Sequence, residues 1–300
     1  MSIQSSKRRV LTALLIASLA VLGLTASAQA KLTGEFTKFA QCPYKNPAAV
    51  KCIFSVTKSG EVVLGSKKVP IVNPVTLQGG LGERDEATGF SPFIAASNGV
   101  SLSKSPQPVP GGLAGLVNCK EIKDFLLRLS CEVTFENGLT GLNSTLELAR
   151  PASEIRVGEF PLLLEQGVAL KMPVKVHLEN PFLGSSCYVG SSGTPIWLEL
   201  TTGETKPPAP NKPIHGFAGE AEFLEEGAVL TIKNNKLVDN AWSAPGASGC
   251  GGFGVELLLN PIINAAAGVP AASGKNTAIL NNTLSTATTF GVNLNNEENP

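Results

Sequence analysis

The sequence predicts an all-β, β-sandwich-like protein with one or two short helices, stabilised by disulfide bonds. Three observations predict this fold class. Most of the chain consists of short segments rich in Val, Ile, Thr and aromatic residues, separated by Gly, Pro and Asn turn signals. Segments with helical periodicity are few. The six cysteines are an even number, which is typical of a disulfide framework in an exported chain.

The strand predictions depend on alternation and on turn signals. The segment MPVKVHLE (172–179) alternates apolar and polar side chains, which predicts a strand with one face in the core. Lys58-Ser59-Gly60 and Asn234-Asn235 each separate two apolar segments, so each predicts a hairpin turn. Asn137-Gly138 is the strongest hairpin signal, because both residues tolerate positive φ. These strands are expected to form either one large sandwich or two stacked units.

Two segments carry helical signals. In 118–131 apolar residues recur at helical spacing, which predicts a short helix. That helix must end early if Cys119 and Cys131 bond to each other, because an unbroken helix would separate them by about 18 Å. In 260–268 Asn260 is the predicted N-cap, and Gly268 is expected to end the helix.

The first 30 residues predict a secretory signal peptide. Lys7, Arg8 and Arg9 form the positive region, residues 10–24 are apolar and uncharged, and Ala28-Gln29-Ala30 is a cleavage site. Cleavage after Ala30 is therefore expected, with the mature chain secreted or extracellular. No later apolar run approaches the length of a membrane span, so no membrane insertion is expected after cleavage.

Proline marks the expected domain organisation. The segment KPPAPNKP (206–213) predicts an extended connector between β-rich regions 31–205 and 214–290. The two regions form either separate domains or one continuous domain. The last residues, 291–300, read as a polar tail.

Charge and residue spacing exclude several kinds of partner. Without its signal peptide the chain carries a net charge of about −3, which provides no field for binding nucleic acid. No Cys-x-x-Cys occurs, and His177 and His215 are not at ligand spacing from cysteines. No metal and no cofactor are therefore predicted.

Spacing favours one disulfide pairing among the 15 that six cysteines allow. The favoured pairs are Cys42 with Cys52, Cys119 with Cys131, and Cys187 with Cys250. The last pair would clasp two similar loops rich in small residues, NPFLGSSCYVGSSGTP (180–195) and NAWSAPGASGCGGFG (240–254). Four aromatic residues of these loops either cover the bridge or form a platform that stacks on a ligand such as a sugar ring: Trp242, Tyr188, Phe182 and Phe253.

The sequence carries few motifs that are typical of a catalytic site. No Gly-x-Ser-x-Gly motif is present, although His177 or His215 could orient a serine elsewhere. Acidic residues cluster in GERDEATG (82–89) and EAEFLEE (220–226), and paired carboxylates can hydrolyse glycosidic bonds without a sequence signature. The same clusters are also ordinary solvated surface.

The stretches NKPIHGFAGEAEF (211–223) and 180–195 resemble segments of uncharacterised secreted bacterial proteins that have no assigned activity. The resemblance implies secretion from a bacterium and supplies no catalytic or binding residues. The expected function is that of a secreted, non-catalytic β-protein with a structural or ligand-binding role. Its partner would be an unknown extracellular or envelope ligand. The alternative is an extracellular hydrolase that uses paired carboxylates, with glycans as its substrate.

Overall fold

The structure is a computed structural model, and it describes residues 31–112, 123, 125, 128, 141–251, 254 and 256–299. Strands dominate these residues, and every paired strand is antiparallel to its neighbour. The all-β prediction is therefore confirmed. Within the described ranges no helix is long and apolar enough to cross a membrane.

The described residues form fourteen strands and a few short helices. The strands are β1 (Lys51–Leu64), β2 (Lys67–Pro70), β3 (Val75–Leu81), β4 (Ser91–Ala95), β5 (Gln107–Pro108), β6 (Asn143–Leu148), β7 (Arg156–Val157), β8 (Leu170–Glu179), β9 (Tyr188–Val189), β10 (Ile196–Leu200), β11 (Glu220–Leu224), β12 (Val229–Asp239), β13 (Ala247–Ser248) and β14 (Thr277–Thr288). The α-helices are α1 (Glu159–Leu164), α2 (Glu256–Ala267) and α3 (Thr289–Glu298). Short 3-10 helices span Gly34–Phe39, Ala152–Glu154 and Glu225–Gly227.

Eight of these strands form a closed hydrogen-bonded ring. Its order is β12, β14, β1, β3, β4, β7, β8 and β10. The ring closes where Thr201, directly after β10, exchanges two backbone hydrogen bonds of 2.9 and 2.8 Å with Val238 of β12. Four of the other strands branch from the ring: β2 from β1, β6 and β9 from β8, and β11 from β12. The remaining two extend these branches, since β5 pairs with β6 and β13 pairs with β9. The half of the sheet around β1 and the half around β8 both contribute side chains to the main core.

Two predicted hairpin turns are wrong, because the strands continue through both. β1 runs from Lys51 to Leu64 with a shift of register between Thr57 and Ser59. β12 likewise shifts register between Ile232 and Asn235. Both strands pair along β14, which is long enough to hold the segments on either side of each irregularity. The turn signals are therefore β-bulges, which insert an extra residue and bend a strand without ending it.

A second, smaller core lies on the outer face of β1, β12 and β14. The 3-10 helix Gly34–Phe39 contributes Phe36 and Phe39, and α3 contributes Val292. The predicted polar tail 291–300 is thus largely helical, because Val292 has a buried position to fill. The Cys42–Cys52 disulfide also lies in this core, with both cysteines buried.

The second disulfide joins Cys187, next to β9, to Cys250, between β13 and α2. These two bonds are pairs that the spacing favoured. Cys119 and Cys131 lie outside the described residues, as do Asn137-Gly138 and most of the predicted helix 118–131.

α2 begins earlier than its sequence signals predicted. It starts at Glu256, so Asn260 and Pro261 lie inside the helix rather than at its first turn. The Asn260 side chain is not an N-cap, because its Oδ1 accepts a hydrogen bond of 3.0 Å from the Cys250 backbone N–H. The predicted end is correct: Gly268 follows the helix with φ +68°, a conformation that glycine adopts at low cost.

Strands from both sides of the connector 206–213 belong to the same sheet. β1 pairs with β14 along its length, and residue 201 bonds to β12. The connector itself is anchored, because the Asn211 side chain donates to the carbonyls of Asn240 and Asn276, each at 2.9 Å.

Candidate functional site

An apolar cavity of about 130 Å³ lies between the β1 half and the β8 half of the sheet. Its walls come from segments far apart in sequence, from Ser55 in β1 to Asn282 in β14. A close-packed interior leaves few voids larger than a water molecule. A cavity of this size is about as large as one that holds a benzene molecule in another protein.

The middle of the cavity wall consists of apolar side chains that are not fully buried. Val62 and Val69 are cross-strand partners on one side, and Leu146 and Val176 are cross-strand partners on the other. All four point into the cavity and keep part of their surface accessible, as do Val75 and Leu280. These residues lie on the inner face of the fold, so their accessible surface faces the cavity.

Two long strands contribute to the wall over much of their length. On β1 both Ser55 and Leu64 line the cavity, and on β8 both Leu170 and Leu178 do. β1 changes partner from β3 to β2 at its bulge, within the stretch that lines the cavity.

Most polar groups in the wall already have partners inside the protein. The Gln107 side chain accepts hydrogen bonds from the backbone N–H groups of Val72 and Asn73, and donates to the carbonyls of Asn73 and Ser105. The Asn282 side chain donates to Asn235 at 2.6 Å and accepts from the Ser55 hydroxyl at 3.3 Å. These amides add little polarity to an otherwise apolar wall.

Lys67 is the one charged residue among the described residues that line the cavity. It is half-buried at the start of β2, directly opposite Leu64. Sequence reasoning missed it, although the alternation in KKVP gave a signal. Val69 faces the core, so Lys67, two residues earlier, lies on the same side of the strand.

A charged cluster occupies the opposite, outer face of β6 and β8. Glu147 lies 3.2 Å from Lys104 Nζ and 3.4 Å from Lys175 Nζ, and its Oε1 is 3.9 Å from His177 Nδ1. Burial raises the pKa of Glu147, but the hydrogen bonds and charges of both lysines outweigh it and hold the pKa below its usual value. The cluster therefore stabilises an ionised Glu147.

Three carboxylates of the acidic stretches 82–89 and 220–226 have structural partners. Asp85 accepts hydrogen bonds from the backbone N–H groups of Ala87 and Thr88, and these lower its pKa. Glu86 pairs with Arg84, and Glu222 pairs with Lys233. His215 Nδ1 lies 2.9 Å from the Gly216 carbonyl.

A different acidic pair, Glu147 and Glu179, is brought together by His177. Glu179 Oε1 lies 3.4 Å from the Nδ1 atom that also neighbours Glu147. A glycosidase needs one carboxyl group with a raised pKa to act as an acid. Glu147 has a lowered pKa instead, so this geometry does not favour that chemistry.

The four aromatic residues of the predicted platform have separate environments. Trp242 is only 5% exposed and packs in the main core. Phe182 is half-buried against the same core, and Phe253 lies outside the described residues. Tyr188 lies on the outer face, stacked on His177 with ring centroids 4.4 Å apart and with Lys175 Nζ 3.8 Å from its own centroid. Trp242 is therefore a core residue, because the clasped loop folds its ring inward.

Comparisons with known proteins give no further assignment. No family model matches the chain, and neither a curated protein nor a solved structure is similar to it. Among the described residues, no group of three or more His, Cys, Asp or Glu side chains is arranged to hold a metal ion.

Proposed function

We propose that this chain is a secreted, non-catalytic binding protein that holds a small apolar molecule in its interior. The observation that carries the proposal is the apolar cavity of about 130 Å³, whose wall presents accessible Val and Leu side chains inside a disulfide-stabilised β-fold. Burying apolar surface of a ligand against such a wall contributes about 25 cal/mol per Å². An apolar molecule would gain this contact without having to open a closed core.

The composition of the wall favours binding over catalysis. It holds aliphatic side chains, hydroxyl groups and the amides of Gln107 and Asn282, whose hydrogen bonds are made within the protein. No described lining residue is a carboxylate, histidine or cysteine that could act as a base or a nucleophile. The proposal therefore develops the ligand-binding expectation rather than the hydrolase expectation.

The predicted signal peptide and the disulfides support a location outside the cytoplasmic membrane. Disulfide bonds persist in oxidising compartments, and both described bonds are buried. A carrier of apolar molecules has an evident use there, because such molecules are poorly soluble in the water that surrounds the cell.

Binding of benzene tests the proposal, because the cavity is about the size of one that holds this molecule. The secreted protein is first passed over a hydrophobic resin to remove bound molecules, and benzene binding is then measured by calorimetric titration. We expect saturable binding of one benzene per chain. Val176→Trp places a large side chain in the wall of the cavity, so it should weaken benzene binding at least about tenfold, an effect of about 1.4 kcal/mol.

Val100→Trp is the matched control, because Val100 is 46% exposed in a surface turn and does not line the cavity. It should bind benzene as the wild type does. Thermal unfolding of both variants checks that they fold. If the folded wild type does not bind benzene, or if Val176→Trp binds it equally well, the cavity is not a binding site and the structural role remains.

A further inference from the structure

We infer that the ligand of the cavity is a small, neutral and largely apolar molecule with one hydrogen-bond acceptor, and that the hydroxyl group of Thr57 binds this acceptor. The inference rests on the proposed function and names the ligand class of the same site. Two observations carry it. The side chain of Thr57 lines the cavity, and its hydroxyl group has no hydrogen-bond partner within the part of the chain that the structure describes.

The pairing of β1 with its neighbours places Thr57 on the cavity side of the sheet. Its cross-strand partners are Val75 in β3 and Asn282 in β14, and both of these residues also line the cavity. Directly opposite residues of antiparallel strands point to the same face of a sheet. Thr57 itself is half-buried. Its hydroxyl group is therefore part of the wall that a bound molecule would contact.

The other hydroxyl groups of the wall have partners inside the protein. Ser55 donates to a side-chain amide oxygen at 3.3 Å. Ser105 and Ser144 donate to backbone carbonyl oxygens at 2.6 and 3.5 Å. Among the described residues none accepts a hydrogen bond from the hydroxyl group of Thr57. Of the four hydroxyl groups that line the cavity, this one is thus available to a ligand.

An unpaired hydroxyl group in an apolar wall favours a ligand that completes its hydrogen bond. A hydroxyl group has one donor, and leaving that donor without a partner away from water costs free energy. A ring nitrogen or a carbonyl oxygen of a ligand accepts this bond, while the rest of the ligand contacts Val75 and the other aliphatic side chains of the wall. A charged ligand would lose more hydration than this single contact returns, so the ligand is neutral.

The experiment compares pyridine with benzene, because the two rings are equal in size and only pyridine has an acceptor atom. Thr57→Val keeps the shape of the side chain and replaces its hydroxyl group with a methyl group. In mildly alkaline buffer, where pyridine is uncharged, this variant should bind pyridine about fivefold more weakly than the wild type does, as expected for the loss of one neutral hydrogen bond. Its affinity for benzene should be unchanged or higher. Calorimetric titration measures both ligands, and each is compared between proteins because water hydrates pyridine better than benzene.

Thr283→Val is the matched control. Thr283 follows Asn282 in β14, so its side chain lies on the opposite face of the sheet, and it does not line the cavity. This variant should bind both rings as the wild type does. Urea unfolding without ligand gives a second measurement. Thr57→Val should be at least as stable as the wild type, because its hydroxyl group makes no hydrogen bond within the described structure.

The outcomes separate the two proposals. If benzene binds the wild type but pyridine does not, or if Thr57→Val leaves the affinity for pyridine unchanged, the proposed function stands and the assignment of Thr57 is overturned. An equal loss of pyridine binding in Thr283→Val would overturn it as well. A marked loss of stability in Thr57→Val would show that the hydroxyl group serves the fold instead of a ligand. If neither ring binds the wild type, the proposed function itself fails.

Discussion

Asp239 is a buried carboxyl group beside the closure of the strand ring. It is 3% exposed, and its Oδ2 accepts a hydrogen bond of 2.7 Å from the Glu199 backbone N–H in β10. Its Oδ1 accepts a second bond of 2.9 Å from Ala241. Burial raises the pKa of Asp239 above its ordinary value of 3.8, although both backbone hydrogen bonds act in the opposite direction. The ring thus closes beside a buried carboxyl group, and burial disfavours the ionised form of that group.

The free energy of unfolding should therefore depend on pH through Asp239. Because the folded-state pKa of Asp239 lies above the unfolded value, the folded protein binds the proton more tightly. The contribution of Asp239 to stability is therefore greatest below about pH 4 and falls as the pH rises through the folded-state pKa. Asp239→Asn cannot ionise, so the free energy of unfolding of the wild type relative to this variant should decrease from pH 4 to pH 7.

Urea unfolding of both proteins at pH 4, 5, 6 and 7 measures this difference. A difference that is constant with pH, or that grows towards pH 7, would contradict the assignment.

At the scale of the element, two strands keep their length by means of bulges. β1 and β12 both pair with β14, and each shifts register at a point where the sequence carries a turn signal. In β1 the bend includes Gly60, which has φ +132° and lies against the backbone of Ile279. In β12 it includes Asn234, with φ +55°. Gly60 and Asn234 are residue types that tolerate a positive φ, which the local sequence shows. Pairing with β14 on both sides of each irregularity keeps the chain in the strand, so it does not turn back.

Gly60→Ala tests the bulge in β1. A Cβ atom at Gly60 would lie 2.0 Å from the Ile279 carbonyl oxygen, so the two strands would have to separate. We expect a loss of more than about 2 kcal/mol in the free energy of unfolding. Gly99→Ala is the control: Gly99 has φ +75°, but its Cβ would meet nothing within 4 Å.

Gly99→Ala should lose only about 1 kcal/mol in the free energy of unfolding, because alanine disfavours the positive φ of this position. Guanidinium unfolding of both variants gives the comparison, and equal losses would show that the close approach at Gly60 does not constrain the strand.

At the scale of the whole molecule, the two described disulfides stabilise different cores. Cys42–Cys52 closes a loop of 10 residues within the small outer core, and Cys187–Cys250 closes a loop of 63 residues across the main core. Cross-linking a longer loop removes more entropy from the unfolded chain. The long loop therefore contributes more to global stability than the short one.

Replacing each pair with alanines tests this difference. By loop entropy the Cys187→Ala/Cys250→Ala variant should lose about 4 kcal/mol, and the Cys42→Ala/Cys52→Ala variant about 2.7 kcal/mol. Chemical unfolding with a common probe measures both. A larger loss from the short-loop variant would indicate that packing in the outer core outweighs the entropy of the unfolded chain.

The sequence by itself determined the fold class and much of its local structure. Alternation in 172–179 assigned the faces of β8 correctly, with Val176 inward and His177 outward. Spacing favoured the disulfides of Cys42 with Cys52 and of Cys187 with Cys250, both of which form. These features are local, because side-chain alternation and loop length can be read from the chain alone.

Only the tertiary structure decided where strands continue, where Trp242 lies and that a cavity exists. Leu146 and Val176 look like core residues in the sequence, and Lys67 looks like a surface residue. They line one cavity because β2, β6 and β8 meet around it. A cavity is space left between side chains of distant segments, so no single segment carries its signal. The pairing of those segments across the ring places an apolar cavity inside a fold that the sequence had predicted only in outline.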